Sequence, residues 1–423
     1  MVYIVDGCRT PYLKAKAQPG PFSAADLAVA AGRELLLRQP FAANQIDETI
    51  LGCVMPRESE ANIARIVSLR LGCGDQTPAW TVQRNCASGM QALDCAMKDI
   101  QLGRSDLVLA GGTEAMSRAP IILRTEMASW LGAIRSGDFK KKWSELNRFH
   151  PYFLKPVSGL VQGLTDPLTD LTMGQTAEIL AHRFHISRQE LDQFALCSHQ
   201  RLARAYDNNY LSELTALYDY AGNYYVEDSG LRRDTSLDQL NRLPAYFDKP
   251  FGSITAGNSS QVTDGAALLI LASEQAVQKY HLPILGRIID VQWAAIAPQW
   301  MGLGPVMAAT PLLLRNQLTL KDIDYWEINE AFAAQVLACL AAWQDDQYCQ
   351  RYLGLPQAFG TIDLERLNVD GGAIALGHPV GASGARIVLH LLQVLKRLNG
   401  RLGVAAICIG GGQGGAMLLE SNI

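Results

Sequence analysis

The stretch Trp80-Thr-Val-Gln-Arg-Asn-Cys86-Ala-Ser-Gly-Met-Gln-Ala-Leu93 joins an extended, β-branched run to a run of small residues that suits a helix. Strand-to-helix units of this kind build α/β folds, and this one places Cys86 at or near a helix N-terminus. The exposed amides and the helix macrodipole there favour a thiolate over a thiol. A thiolate is a nucleophile, so the pattern predicts covalent catalysis through sulfur. The competing interpretation is a small buried core residue, a common role of cysteine.

The composition indicates a folded chain of several domains. Its 423 residues are too many for one hydrophobic core, so two or three domains are expected. Hydrophobic residues make up 48% and charged residues 18%, which argues against an intrinsically disordered chain. The formal net charge of −4 gives no sign of a basic binding surface, so we expect no nucleic-acid partner.

The nine cysteines are scattered, and no two of them form a CxxC pair. This argues against a disulfide framework and against a zinc site, so no metal is expected, and it fits a reducing cytosol. The N-terminal run 1–10 reads as a first strand and lacks the features of a secretory signal, and no apolar run reaches the length of a membrane span. The expected location is therefore the cytoplasm.

Apolar strands alternate with helices in the first and last thirds of the chain, which indicates an α/β fold with a largely buried sheet. From about 120 to 250, charged residues, aromatics and helix formers dominate, so this part reads as a mostly helical insertion. The runs 106–116 and 404–417 each show a buried strand, a glycine turn and then Ala-Met. We interpret this echo as an internal duplication, although glycine turns after strands are common in α/β proteins.

Three further segments carry residues suited to catalysis. His378 lies among the glycines of 371–384, and a histidine can take a thiol proton near neutral pH. Cys408 ends a buried strand just before the glycines 410–412, whose unshielded amides can stabilise an oxyanion. Asn329 stands where a strand gives way to a helix, and its amide could order a water or polarise a carbonyl. The structural alternatives are a turn histidine bonded to backbone, a core cysteine and a helix N-cap.

Together these segments resemble the thiolase family. The resemblance is carried by Asn85-Cys-Ala-Ser-Gly89, Asn329-Glu-Ala-Phe332, Gly377-His-Pro379 and Cys408-Ile-Gly-Gly-Gly412. Four supporting matches are Arg9-Thr-Pro11, Gly111-Gly-Thr-Glu-Ala-Met-Ser117, Met173-Gly-Gln-Thr-Ala-Glu178 and Thr255-Ala-Gly-Asn-Ser-Ser260. All eight occur in the family's order, and they cover essentially the whole chain.

The resemblance implies a duplicated thiolase fold. Two α/β halves would pack as a layered αβαβα structure, with a mostly helical loop domain inserted in the N-terminal half. The implied boundaries are 1–121 plus 250–274 for the N-terminal domain, 122–249 for the loop domain that binds substrate and CoA, and 275–423 for the C-terminal domain.

The resemblance also implies a role for each reactive residue. Cys86 would be acylated by the substrate. His378 would activate Cys86 and, with a water held by Asn329, line one oxyanion site. Cys408 would act as acid and base on the carbon of the second substrate, and the amides of Cys86 and Gly410 would form the second oxyanion site. The implied reaction is CoA-dependent cleavage of 3-oxoacyl-CoA, or the reverse Claisen condensation, with ping-pong kinetics.

Coenzyme A and acyl-CoA are the implied substrates, and no bound cofactor is expected. Arg232 or Arg233 would meet a phosphate of the nucleotide. The other expected CoA contacts and tunnel residues are Ser260, Ala256, Gly257, Met173 and Phe332.

Two departures from the family pattern bear on substrate and partner. Small biosynthetic thiolases commonly carry histidine where this chain has Thr172, which weakens a prediction of acetoacetyl-CoA specificity.

The stretch 124–169 is longer than the corresponding stretch of the small biosynthetic thiolases and contains Lys140-Lys-Lys-Trp143. Such insertions resemble those of thiolases that pair with a multifunctional β-oxidation subunit or touch membranes, while a solvated helical lid is an equally good interpretation. The kept Asn329 argues against pairing, because many paired thiolases have histidine there. The family's habit implies a homodimer or homotetramer.

Two other functions stay open from the sequence. A ketoacyl-synthase-like condensing enzyme shares the duplicated fold but uses a Cys-His-His or Cys-His-Asn set, and Cys408 argues against it. A non-catalytic acyl-CoA-binding scaffold on the same fold would not need the reactive positions that this chain keeps.

Overall fold

The computed structural model describes residues 1–421, with a ten-stranded mixed sheet at its centre. Asn422 and Ile423, the last two residues of the expected C-terminal domain, lie outside the described residues. The strands are β1 (Val2–Arg9), β2 (Leu13–Lys14), β3 (Glu48–Gly52), β4 (Ala79–Val82), β5 (Leu107–Ala115), β6 (Ile121–Ile122), β7 (Val157–Ser158), β8 (Leu217–Tyr218), β9 (Tyr224–Tyr225), β10 (Thr263–Ser273), β11 (Gly286–Ala295), β12 (Tyr325–Ile328), β13 (Leu402–Ile409) and β14 (Gln413–Glu420).

The helices surround this sheet and fill the insertion. They are α1 (Ala24–Leu37), α2 (Ile63–Arg70), α3 (Ser88–Gln101), α4 (Thr125–Ser136), α5 (Phe139–Asn147), α6 (Gly159–Gly163), α7 (Met173–Arg183), α8 (Arg188–Asp207), α9 (Leu237–Asn241), α10 (Glu274–Tyr280), α11 (Gly304–Arg315), α12 (Ala333–Gln344), α13 (Asp346–Tyr348), α14 (Ala373–Leu376) and α15 (Val380–Arg397). In the described part of the chain, no helix combines the length and apolarity that a membrane crossing requires.

The sheet consists of two halves that repeat one pattern. Its strands follow the order β12, β13, β14, β11, β1, β10, β5, β3, β4, and β2 pairs with β10. The halves meet where β1 and β11 pair over only two residues on each strand. Counted outward from this junction, each half has three successive antiparallel strands, followed by a fourth strand that runs parallel to the third. The four strands are β1, β10, β5 and β3 in one half and β11, β14, β13 and β12 in the other. The predicted duplication is confirmed.

Side-chain alternation along β13 shows how the layers form. Val404 and Ala406 pack in an outer core with α11 and α12, whereas Ala405 and Ile407 pack in an inner core with α3 and α15. Successive residues of a strand point to opposite faces, so one strand serves both cores. On the N-terminal half, α1 and α2 cover the outer face. Because α3 and α15 lie between the two half-sheets, the layers follow the expected αβαβα order.

The glycines after Ala110 do not form the predicted turn, since β5 continues to Ala115. A Cβ atom on Gly112 would stand 2.0 Å from the carbonyl oxygen of Gly381, so the missing side chain lets β5 lie against the start of α15. In the C-terminal half the glycines do form a turn. Gly411 and Gly412 have φ of +88° and +82° between β13 and β14.

The insertion between β5 and β10 contains α4 to α9 and the strand pairs β6–β7 and β8–β9. Its α7 begins with a capping box: the Thr172 hydroxyl accepts from the Gln175 amide, and the Gln175 side chain accepts from the Thr172 amide. This cap sets the position of Met173, the first residue of the helix. Both α7 and α8 pack on α12, so the insertion rests on the C-terminal half.

Candidate active site

The structure brings three of the predicted reactive residues to one cavity of about 530 Å³. Cys86 comes from the turn between β4 and α3, His378 from the loop before α15, and Cys408 from the end of β13. Met173, Phe332 and Ser260 also line this cavity, whereas Asn329, Ala256, Gly257 and Arg233 do not.

The Cys86 turn is held by the residue before it. Asn85 has a φ of +42°, a left-handed conformation that asparagine adopts more readily than most residues. Its Nδ2 donates a hydrogen bond to the Gly410 carbonyl at 2.8 Å, which ties the Cys86 turn to the loop after β13. The sequence analysis assigns no role to Asn85. Its position directly before the predicted nucleophile is the one sequence feature that points to a role in shaping the turn.

Two backbone amides, those of Cys86 and Gly410, act to lower the pKa of the Cys86 thiol. They are the same two amides that the resemblance assigns to an oxyanion site. Burial nevertheless raises the pKa of Cys86 above its ordinary value, and the two amides only partly offset it. Burial therefore opposes the stabilisation of a thiolate that the helix N-terminus provides, and a base such as the predicted His378 is needed to ionise Cys86.

His378 has the tautomer that accepting a proton would require. Its Nδ1 lies 2.7 Å from Ser383 Oγ, and Ser383 donates its own hydrogen to the Pro379 carbonyl at 3.0 Å. The hydroxyl must then accept from Nδ1, so the proton sits on Nδ1 and Nε2 keeps its lone pair. Nε2 is buried and has no partner among residues 1–421. Burial, with a contribution from Arg386, lowers the pKa of His378 to about 3, so the ring is neutral near pH 7.

Ser383 was missed by sequence reasoning. It lies in the first turn of α15, five residues after His378, and a hydroxyl at that distance is the only sequence signal. Its role as a hydrogen-bond partner depends on the geometry of the loop.

Cys408 is a buried thiol with a strongly raised pKa. The side chain is 1% exposed, and burial raises the pKa well above the ordinary thiol value. A negative charge on Cys86 raises it further, so the two thiols do not ionise together. If Cys86 were acylated, as the resemblance implies, that charge would be gone and Cys408 would give up its proton more easily. The pair is therefore suited to act in sequence.

Asn329 does not cap the following helix, because α12 begins at Ala333 with Phe332 as its N-cap residue. Its side chain is buried, and neither Oδ1 nor Nδ2 has a hydrogen-bond partner in the described chain. An unpartnered buried polar group costs about 1–3 kcal/mol. This cost fits a side chain that binds a water or substrate atom during the reaction.

Lys249 is the one lysine or arginine among the described residues that line the cavity. Its Nζ lies 5.4 Å from the ring centre of the exposed Tyr246. Sequence reasoning missed both residues. Arg233, which was predicted to meet a phosphate, instead forms ion pairs with Asp207 and Glu227 at 2.6 and 3.2 Å.

A second cavity of about 270 Å³ adjoins the first, and Cys86 lines both. Its further walls include Val54, Met55, Gly163 and Leu168. We call it the side chamber. Among the described residues, no group of three or more histidine, cysteine, aspartate or glutamate side chains could hold a metal ion.

Comparison with known proteins agrees with this arrangement. The family model "Thiolase, N-terminal domain" matches residues 2–275, and "Thiolase, C-terminal domain" matches residues 282–421. Human mitochondrial 3-ketoacyl-CoA thiolase is 38% identical, and the match covers 100% of this chain and 98% of that protein. The bovine mitochondrial trifunctional enzyme subunit beta is 37% identical, covering 99% of this chain and 88% of that protein.

A solved structure of human mitochondrial 3-ketoacyl-CoA thiolase superposes with a TM-score of 0.86 at 37% identity. The superposition covers 100% of this chain and 99% of that one. A structure of the same human enzyme in complex with CoA gives a TM-score of 0.85 at 37% identity, covering 100% and 98%. By sequence along its whole length and by fold, this chain belongs to the thiolase family.

Proposed function

We propose that this protein is an acetyl-CoA C-acyltransferase that cleaves 3-oxoacyl-CoA with CoA, giving acetyl-CoA and a shortened acyl-CoA. The observation that carries the proposal is the meeting of Cys86, His378 and Cys408 at one cavity. The names of the relatives, 3-ketoacyl-CoA thiolase and trifunctional enzyme subunit beta, support it. A ketoacyl-synthase-like reaction would leave Cys408 without a role.

The first half-reaction forms the acyl-enzyme. His378 Nε2 takes the Cys86 proton, and Sγ attacks the 3-oxo carbon, whose oxygen accepts from the amides of Cys86 and Gly410. The bond between C2 and C3 breaks, and its electron pair passes to C2 as the enolate of acetyl-CoA. The imidazolium, with a water on Asn329, stabilises the enolate oxygen, and Cys408 gives its proton to C2. Acetyl-CoA leaves, and the acyl group stays on Cys86.

The second half-reaction returns the enzyme to its starting state. The Cys408 thiolate takes the proton of an incoming CoA thiol, and the CoA sulfur attacks the acyl carbonyl. Cys86 leaves as a thiolate and takes back the proton that His378 held. Each atom and proton is accounted for, and the order of events predicts ping-pong kinetics.

A chain-length series tests this function. The purified protein should consume 3-oxoacyl-CoA substrates of four to sixteen carbons only when CoA is present, as followed by the loss of their absorbance. Activity that extends to long chains would mark a degradative enzyme, and a sharp preference for four carbons would mark acetoacetyl-CoA metabolism. CoA-dependent cleavage of none of them would refute the proposal.

We further propose that CoA enters along Ser260, Met173 and Phe332, with the backbone at Ala256 and Gly257 near the pantetheine. Lys249 lies on the cavity wall, whereas Arg233 is committed to ion pairs elsewhere, so Lys249 is the better partner for a phosphate. Lys249→Ala should raise KM for CoA more than it changes kcat. An unchanged KM for CoA would contradict this placement.

The side chamber is our proposed site for the alkyl chain. A Cβ atom on Gly163 would meet only Met55 Sδ, at 3.9 Å, so a larger side chain there fits and fills the chamber. Gly163→Leu should lower kcat/KM for a twelve-carbon substrate by about 10- to 100-fold and leave acetoacetyl-CoA nearly unaffected. Gly132→Leu is the matched control, because a Cβ atom there meets nothing within 4 Å. Equal losses of kcat/KM on short and long substrates would rule out the side chamber as the site of the alkyl chain.

We propose a homo-oligomer, with β4 as a contact. Within the described chain β4 pairs only with β3, and all four of its residues are half-buried. An open sheet edge is a ready template for pairing with a second copy. Light scattering on the purified protein should report a dimer or tetramer, and a monomer across the micromolar range would contradict the proposal.

We also propose that α5 contacts a multifunctional β-oxidation subunit. Phe139, Trp143 and Leu146 are 81%, 65% and 53% exposed, and Lys140, Lys141 and Lys142 lie between them. The bovine relative is named as a subunit of a trifunctional enzyme. Trp143→Asp should weaken binding to such a subunit without lowering thiolase activity, whereas unchanged binding would contradict the proposal.

The nine cysteines are all free thiols, and on this ground we propose a cytoplasmic location. Imaging of the tagged protein tests it, and accumulation inside an organelle would contradict it.

A further inference from the structure

Glu114 is a buried carboxylate next to the site, and the reaction scheme gives it no role. It lies on β5 with an exposure of 0%. Its carboxylate accepts hydrogen bonds from the amides of Val54 at 2.9 Å, Met55 at 3.0 Å and Gly381 at 3.1 Å. The Cys53 thiol donates a fourth, at 3.6 Å. No cationic side chain in the described chain forms an ion pair with it.

The donors belong to two chain segments, each of which also contributes residues to the cavity walls. Val54 and Met55 line the side chamber. Gly381 lies in the first turn of α15, beside Val380, which lines both cavities, and three residues after His378. Through these bonds one carboxylate joins the base to the wall of the acyl site.

All four contacts require Glu114 to accept, so they hold together only when the group is an unprotonated carboxylate. Burial raises its pKa to about 7, which makes the ionised form costly. The titratable groups that face it are the thiols of Cys53 and Cys86, and both have raised pKa values to which the Glu114 charge contributes. A buried charge without a cation, held by three backbone amides and one thiol at the site, indicates a task beyond stability.

We propose that Glu114 is a positioning residue of the thiolase reaction, whose carboxylate fixes the start of α15, and with it His378, against the Val54–Met55 wall of the side chamber. The reaction itself rests on the proposed function, but the placement of Glu114 beside Cys86 can be tested without substrate.

The main test is Glu114→Gln in the full chain. Glutamine has nearly the same shape, but its NH₂ group would face amide N–H donors and could not accept from them. We expect kcat to fall about 10-fold or more, since hydrogen bonds to a charged group are lost. KM should rise more for a long 3-oxoacyl-CoA than for acetoacetyl-CoA, because Val54 and Met55 line the chamber. The pH profile of Cys86 alkylation by iodoacetamide should shift to lower pH, because a nearby negative charge is removed.

Two further variants separate this role from a structural one. Glu114→Asp keeps the charge but withdraws it by one methylene, so it should lower kcat and leave the alkylation profile in place. Glu213→Gln alters another buried carboxylate, bonded to Arg9 and His390 outside both cavities, and should lower Tm without changing kcat or the profile.

Glu114→Gln with wild-type kcat and an unshifted profile would overturn the proposal, as would an effect limited to Tm. If Glu114→Gln does not fold, a folded Glu114→Asp with unchanged kcat and chain-length dependence would overturn it instead. If the wild-type protein cleaves no 3-oxoacyl-CoA, the proposed function fails, yet the alkylation profile still reports whether Glu114 acts on Cys86.

Discussion

Replacing Cys86 with alanine should lower kcat for CoA-dependent cleavage by about 10⁴- to 10⁶-fold, a loss typical of removing a covalent nucleophile. Cys86 is the reactive group that lines both cavities, whereas Cys408 lines only the larger one and is assigned to proton transfer at C2. Because the side chain is only partly buried, the fold should survive, with Tm within a few degrees of the wild type.

The matched control is Cys197→Ala, which removes another partly buried thiol that lines neither cavity. It should keep wild-type activity. If Cys86→Ala kept more than about 1% of the wild-type kcat, covalent catalysis through Cys86 would be untenable, because general acid–base groups alone contribute about 10²- to 10⁴-fold.

Replacing Cys408 with alanine should lower kcat by about 10²- to 10⁴-fold, the range for loss of a general acid or base. Cys86 should remain reactive toward iodoacetamide, since its base His378 and its amide donors are untouched. The ionisation of Cys408 is coupled to that of Cys86. In the Cys408→Ala variant, alkylation of Cys86 should therefore begin at the same pH as in the wild type or at a lower one.

Cys349→Ala provides the control for a buried thiol without a role, because its Sγ bonds only to backbone carbonyls away from the cavities. It should lower Tm and leave kcat intact. A Cys408→Ala protein with full turnover would show that another group moves the proton at C2.

The sequence predicted three residues that meet at one cavity, because each of them carries a local signal. Cys86 follows a strand and precedes a run of small residues, Cys408 ends a strand just before three glycines, and His378 precedes a helix among glycines. The sequence did not predict the residues that hydrogen-bond to the loops carrying these side chains, because such hydrogen bonds join residues that are far apart in the chain. Asn85 bonds Gly410, and Glu114 bonds Gly381, across 325 and 267 positions. The domain boundaries near 121, 249 and 274 stay predictions.

Two local signals are outweighed by neighbours that are close in space but distant in the chain. A helix N-terminus stabilises a negative charge by about 0.3–2 kcal/mol, whereas burial can move a pKa by up to 3–5 units, so desolvation of Cys86 wins. The sequence of Gly111 and Gly112 predicts a turn, but in the structure the two glycines allow close contact of β5 with β10 and α15. In both cases the deciding neighbours come from distant parts of the chain.

The most direct test of the central claim is mass spectrometry of the protein mixed with a 3-oxoacyl-CoA in the absence of free CoA and then quenched in acid. We predict an acyl group two carbons shorter than that of the substrate on the tryptic peptide 85–98. Fragmentation should place it on Cys86 rather than Cys95, and adding CoA before the quench should remove it. An acyl group on any other residue, or none while cleavage proceeds, would contradict the account.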